Sequence, residues 1–154
     1  MQIPNFIFPD LLLLIFPFIV IGSRLFCNAQ SKLPWRIANI GFIAIFVLLN
    51  LIPLASGEGR LFISNWKIDD FGVLMREVLI ISAILGMWLS KDYFEHSGEK
   101  GQMHQIAEFI GAIAFATFGG FTVVSACDLL TFFLGLEMAT IPMYALTACS
   151  KGEQ

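Results

Sequence analysis

Charge is scarce in this chain: nine Lys or Arg and twelve Asp or Glu among 154 residues, 14% in all, where globular domains carry roughly a quarter. That shortage argues against an ordinary water-soluble domain. The basic residues form no run and do not interleave with aromatics, and the formal net charge is −3, so a nucleic-acid surface is excluded. The three cysteines, Cys27, Cys127 and Cys149, have no paired spacing, which excludes a disulfide framework or a thiolate metal site and leaves them as small apolar residues. Internal repeats and low-complexity segments are missing. So are flavin, haem, iron–sulfur and nucleotide motifs.

What is present is apolar sequence: 57% hydrophobic residues and a mean hydropathy of +0.79. Five stretches, 11–27, 37–55, 71–90, 106–126 and 129–149, are each about as long as the roughly 20 helical residues that cross a hydrocarbon core. The first has no Lys or Arg before it and no small-residue cleavage motif after it, so it is expected to be a membrane helix and not a signal peptide. The period-two alternation of membrane strands is absent, and helices are then the way to satisfy the backbone in lipid. The expected fold is an all-α membrane protein, a single unit over 1–154 with about five transmembrane helices.

Basic residues give the orientation, because short loops rich in Lys and Arg stay cytoplasmic. With the N-terminus outside, Arg24, Lys32, Arg36, Lys91, Lys100 and Lys151 are all cytoplasmic, and the opposite side holds Arg60 and Lys67, with Arg76 near the outer end of helix three. The outer loop SGEGRLFISNWKIDD, Ser56 to Asp70, is expected to carry a short strand or interfacial segment around Trp66. The inner loop runs from Lys91 to Gln105. Helices four and five, joined near Ala126 to Asp128, must form an antiparallel hairpin. Ala112, Ala116 and Gly120 in helix four and Thr131, Gly135 and Ala139 in helix five recur every fourth residue, and such small-residue ridges let membrane helices approach closely. Either they meet in the hairpin, or they reflect only that small residues are common in any membrane helix.

Glu137 is the residue of most interest. It lies within Leu129 to Cys149 with no other charge, at a depth where a carboxylate costs a few kcal/mol and marks a proton or ion site. Eight residues from Leu129, at about 1.5 Å each, put it roughly 12 Å along the helix. Thr140, Tyr144 and Thr147 share its face and Lys151 continues it, while Leu130, Phe133 and Leu134 make the other half of that face apolar. Two readings stand. In one, protons reach Glu137 from the cytoplasmic side along this stripe, aided by Pro142, which leaves the Met138 carbonyl without its helical donor. In the other, the threonine hydroxyls bond back to their own helix, Tyr144 anchors at the interface and Pro142 is a packing kink. No lysine lies at the depth of Glu137, and Arg76 is only a distant partner. Arg76 itself can snorkel at a helix end and, being adjacent to Glu77, faces another way. Asp128 is placed to cap helix five and Asp10 helix one. Glu108 and His104, one turn apart at the cytoplasmic start of helix four, could feed a proton entry, but an interfacial pair of this kind is more often simply solvated.

The segment SACDLLTFFLGLEMATIPMYALTA, Ser125 to Ala148, resembles the fourth-to-fifth helix region of the antiporter-like membrane subunits of respiratory complex I. Its LGLE followed by IPMYAL most resembles subunit N of NADH-quinone oxidoreductase. Upstream, AEFIGAIAFATFGGFTVVSA is similar to the preceding helix of that family, and WKIDDFGVLMREVLIISAILGMWLS is more loosely similar to its outer loop and third helix. The resemblance implies that Glu137 is the helix-five glutamate of the family's charged axis, which works with a lysine on a later, broken helix. It further implies the front five helices of a fourteen-helix proton-translocating subunit, multi-pass in the bacterial plasma (inner) membrane. Its partners would be the lipid bilayer, the other membrane subunits of complex I and, indirectly, the quinone pool. NAD and quinone would be used by the whole complex and no cofactor bound by this chain. The sequence stops at Gln154, before the lysine-bearing helices. Alternatives are a subunit of a cation/proton antiporter complex, or a truncated structural or assembly protein without pumping activity.

Overall fold

The computed structural model describes residues 8–26, 33–51, 60–63, 66–96 and 106–151. They form five helices and one β-hairpin: α1 (Phe8–Phe26), α2 (Leu33–Leu51), β1 (Arg60–Ile63), β2 (Trp66–Ile68), α3 (Asp70–His96), α4 (Ile106–Ser125) and α5 (Leu129–Lys151). Two helices, over Asp70–Lys91 and Ile106–Ser125, are long and apolar enough to cross a membrane. The other three carry shorter apolar stretches, Pro9–Ser23, Trp35–Leu51 and Leu129–Tyr144.

Helix ends differ from the apolar runs for local reasons. α1 and α2 begin three or four residues earlier than expected, with Pro9 and Pro34 in their first turns, where a missing N–H costs nothing. α3 continues through the polar Lys91–His96, because a helix can outlast the apolar part of its sequence. Its start is set by Asp69, whose Oδ1 accepts from the Gly72 N–H at 2.7 Å. Asp128 does the same for α5, accepting from the Thr131 N–H at 2.5 Å and from Thr131 Oγ1 at 3.1 Å. The strand expected around Trp66 is present as β2, antiparallel to β1, and Trp66 also bridges to Ala126 in the α4–α5 turn.

α4 is the central helix, in contact with α1, α2, α3, α5 and β2. The core is layered along it. Leu13, Ile80 and Phe121 are fully buried on α1, α3 and α4, and seven residues further along α1 and α3, and seven residues back along α4, Val20, Met87 and Ala114 are fully buried too. Outward the protein is apolar as well, with Phe18, Ile40, Leu89 and Leu129 each at least two-thirds exposed. A surface of this kind suits an apolar solvent or a covering partner better than water.

The α4–α5 hairpin closes on glycine. A Cβ on Gly119 would fall 2.8 Å from the Gly135 carbonyl oxygen, and one on Gly135 would fall 2.8 Å from the Val123 nitrogen. The helix-five ridge is therefore met at Gly135 and Ala139, but the facing positions on α4 are Gly119 and Val123, one step off the helix-four ridge. Gly120 lies against Leu79 of α3 instead, and Thr131 is engaged by Asp128.

Candidate functional site: the open face of α5 and a buried ion pair

α5 is carried by α4, and its packing side holds Gly135 and Pro142, both buried. Glu137, Thr140, Tyr144 and Thr147 are all on the opposite, exposed side. They do form one stripe. Leu130, Phe133 and Leu134 are exposed along the same helix toward its start. Thr140 Oγ1 donates to the Leu136 carbonyl at 3.0 Å and lies 3.3 Å from that of Glu137, and Thr147 Oγ1 donates to the Tyr144 carbonyl at 2.9 Å. Each threonine hydroxyl thus spends its proton on its own helix and keeps oxygen lone pairs for an outside donor. Glu137 is exposed, and no described residue is paired with its carboxylate.

Arg76, weighed from the sequence as a distant partner of Glu137, is committed elsewhere. Its side chain is 1% exposed, and Nη2 donates to Asp10 Oδ2 at 3.1 Å and to Ser125 Oγ at 2.5 Å. The guanidinium carbon also stands 5.0 Å from the centre of the Phe121 ring, within cation–π range. Asp10 is in the first turn of α1 but does not act as its cap: its carboxylate faces inward to Arg76. The expected snorkelling of Arg76 is likewise replaced by burial, because an opposite charge waits at its own depth. Sixty-six positions separate the two residues, beyond the reach of helical periodicity. The available signal was that Asp10 and Arg76 both fall near the starts of their helices in a chain short of charge.

Among the described residues no group of three or more His, Cys, Asp or Glu is placed to hold a metal ion. Cys127 is a free, exposed thiol. His104, Lys32, Lys100 and Cys27 lie outside the described residues, as do the side chains of Arg24, Cys149 and Lys151. Glu108 is exposed at the start of α4.

No family model matches the chain. Individual proteins do. NADH-quinone oxidoreductase subunit N of Heliobacterium modesticaldum is 30% identical over 119 residues, covering 75% of this chain and 24% of that protein. NAD(P)H-quinone oxidoreductase subunit 2 of Crocosphaera subtropica is 30% identical over 132 residues, 86% of this chain and 23% of that protein. NADH-quinone oxidoreductase subunit N of Rubrobacter xylanophilus is 26% identical over 144 residues, 93% of this chain and 29% of that protein. This chain therefore spans about a quarter of the length of the curated relatives it matches.

Proposed function

Because the chain belongs to the family of NADH-quinone oxidoreductase subunit N and NAD(P)H-quinone oxidoreductase subunit 2, we propose that it is part of a membrane-arm subunit of a proton-translocating NADH-quinone oxidoreductase. In this reading the five helices each cross the bacterial plasma membrane with the N-terminus outside. The other membrane subunits of the complex are its partners, and the quinone pool is served indirectly. Glu137 is a relay site that takes and gives a proton as quinone is reduced elsewhere in the complex. NAD and quinone are used by the whole complex, and this chain binds neither.

The observation that carries the reading is the placement of Glu137. It is the sole charge of α5 before Lys151, on the face away from α4. A carboxylate kept at that depth is costly unless it is met by a cation or by water. The open face allows both to come from a neighbouring helix. Thr140, Tyr144 and Thr147 offer oxygen acceptors along the same face, through which water could lead to Glu137 from the cytoplasmic end.

The test is Glu137→Gln in the full-length subunit within the assembled complex, with proton translocation and quinone reduction measured together in sealed vesicles. Removing a positioned proton-transfer group should cut proton-coupled turnover by on the order of tenfold or more, with assembly unchanged and Glu137→Asp in between. Full translocation by an assembled Glu137→Gln complex would sink the relay.

A further inference from the structure

The Asp10–Arg76 contact is half of the arrangement that these two groups ordinarily make. Nε and Nη2 lie on one edge of the guanidinium, and an arginine meeting a carboxylate side-on commonly closes both N–H···O arms. Here the Nη2–Oδ2 arm is closed at 3.1 Å, while Arg76 Nε and Asp10 Oδ1, both buried, have no hydrogen-bond partner. Leaving a donor and an acceptor of two buried charged groups unsatisfied is expensive.

The described neighbours do not supply the missing bonds. Ser125 Oγ already accepts from Arg76 and donates to the Phe121 carbonyl at 2.8 Å. Thr122, the next hydroxyl on α4, donates to the Phe118 carbonyl at 3.0 Å. One turn inward on each of the three helices stand Leu13, Ile80 and Phe121, all fully buried, so the cluster rests on an apolar floor. What the open arm needs is a small group that accepts from Nε–H and donates to Oδ1. Water does both, and buried waters settle at sites with two or more polar partners.

We propose that Asp10, Arg76 and Ser125 form a hydrated three-helix clamp, in which one internal water bridges Arg76 Nε and Asp10 Oδ1 and the ion pair ties α1 and α3 to the last turn of α4. The clamp is separate from the proton chemistry proposed for Glu137. It stands on the hairpin side of the apolar layers, and its loss acts on assembly rather than on turnover.

Two measurements test it in the full-length subunit. In a cryo-EM map of the assembled complex that resolves ordered water elsewhere in the membrane arm, density is expected between Nε and Oδ1 at hydrogen-bonding distance from both. A direct Nε–Oδ1 contact with nothing between would overturn the water. For the clamp, Asp10→Asn and Arg76→Gln are each expected to lower the amount of assembled complex several-fold, because each strands one buried charge. The Asp10→Asn/Arg76→Gln double variant strands none and should recover most of the loss. Single variants that assemble at the wild-type level, or a double variant that assembles no better than the worse single, would overturn it. Turnover per assembled complex is expected to stay at the wild-type value, whereas Glu137→Gln lowers turnover and leaves assembly intact.

Discussion

At the residue scale, the close backbone approach of α4 and α5 depends on the missing side chain of Gly119. A Cβ on Gly119 would stand 2.8 Å from the Gly135 oxygen and the Met138 carbonyl carbon, and closer still to the Ala139 nitrogen. All three are backbone atoms, which cannot rotate aside as a side chain would. Gly119→Ala must therefore push α4 and α5 apart, and overpacking of this kind costs about 1–3 kcal/mol. Gly22 of α1 is the contrast, with nothing within 4 Å of its added Cβ. Gly22→Ala should stay within about 0.5 kcal/mol of wild type, as surface changes do. Thermal unfolding of the detergent-solubilised complex, followed at the subunit, should separate the two variants clearly. Equal midpoints would mean that the hairpin seam is looser than its geometry indicates. Because α4 carries α5, the same substitution shifts the helix that presents Glu137, so Gly119→Ala should also depress turnover while Gly22→Ala should not.

At the element scale, α5 begins where it does because Asp128 satisfies the free N–H of Thr131 and the Thr131 hydroxyl together. Replacing such a cap by alanine costs about 1 kcal/mol, and asparagine retains most of it. Asp128→Ala should speed amide hydrogen exchange in the first turn of α5, with Asp128→Asn close to wild type; unchanged exchange in Asp128→Ala would show that the cap does not hold this turn. This cap was legible from the sequence, as were both bounds of the α4–α5 hairpin to within two residues, because a polar turn separates two apolar runs. The bounds of α3 were less legible, since hydropathy marks where lipid-compatible sequence stops and not where helical hydrogen bonding stops. The facing register of the hairpin was half legible. Small residues every fourth position identified the α5 ridge, but α4 carries adjacent glycines, and spacing alone could not tell that Gly119 faces α5 while Gly120 faces Leu79 of α3.

At the scale of the whole molecule, the legible part was the membrane character and the position of Glu137 along α5; the face it presents depends on how five elements assemble. The pairing of Asp10 with Arg76 was hidden for the same reason. That pairing also fixes the sense of the bundle: the starts of α1 and α3 and the end of α4 meet at one end, beside the hairpin. The start of α2 and the later part of α3 meet toward the other, where Trp88 Nε1 donates to Asn39 Oδ1 at 2.8 Å. Arg36 and Lys91 are exposed on those same two segments. In the orientation proposed above, with the N-terminus outside, that end is cytoplasmic and the hairpin and the α4–α5 turn are outside. Cys127, exposed in that turn, is a built-in reporter. With every other cysteine of the full-length subunit, Cys27 and Cys149 among them, replaced by serine, a membrane-impermeant maleimide added to spheroplasts should label Cys127 without permeabilisation. Labelling only after the membrane is opened, with a denatured control showing the thiol to be reactive, would reverse the orientation. Water leading along the Thr140–Thr147 stripe would then approach Glu137 from outside rather than from the cytoplasm, and the direction assigned to the relay would have to be reversed with it.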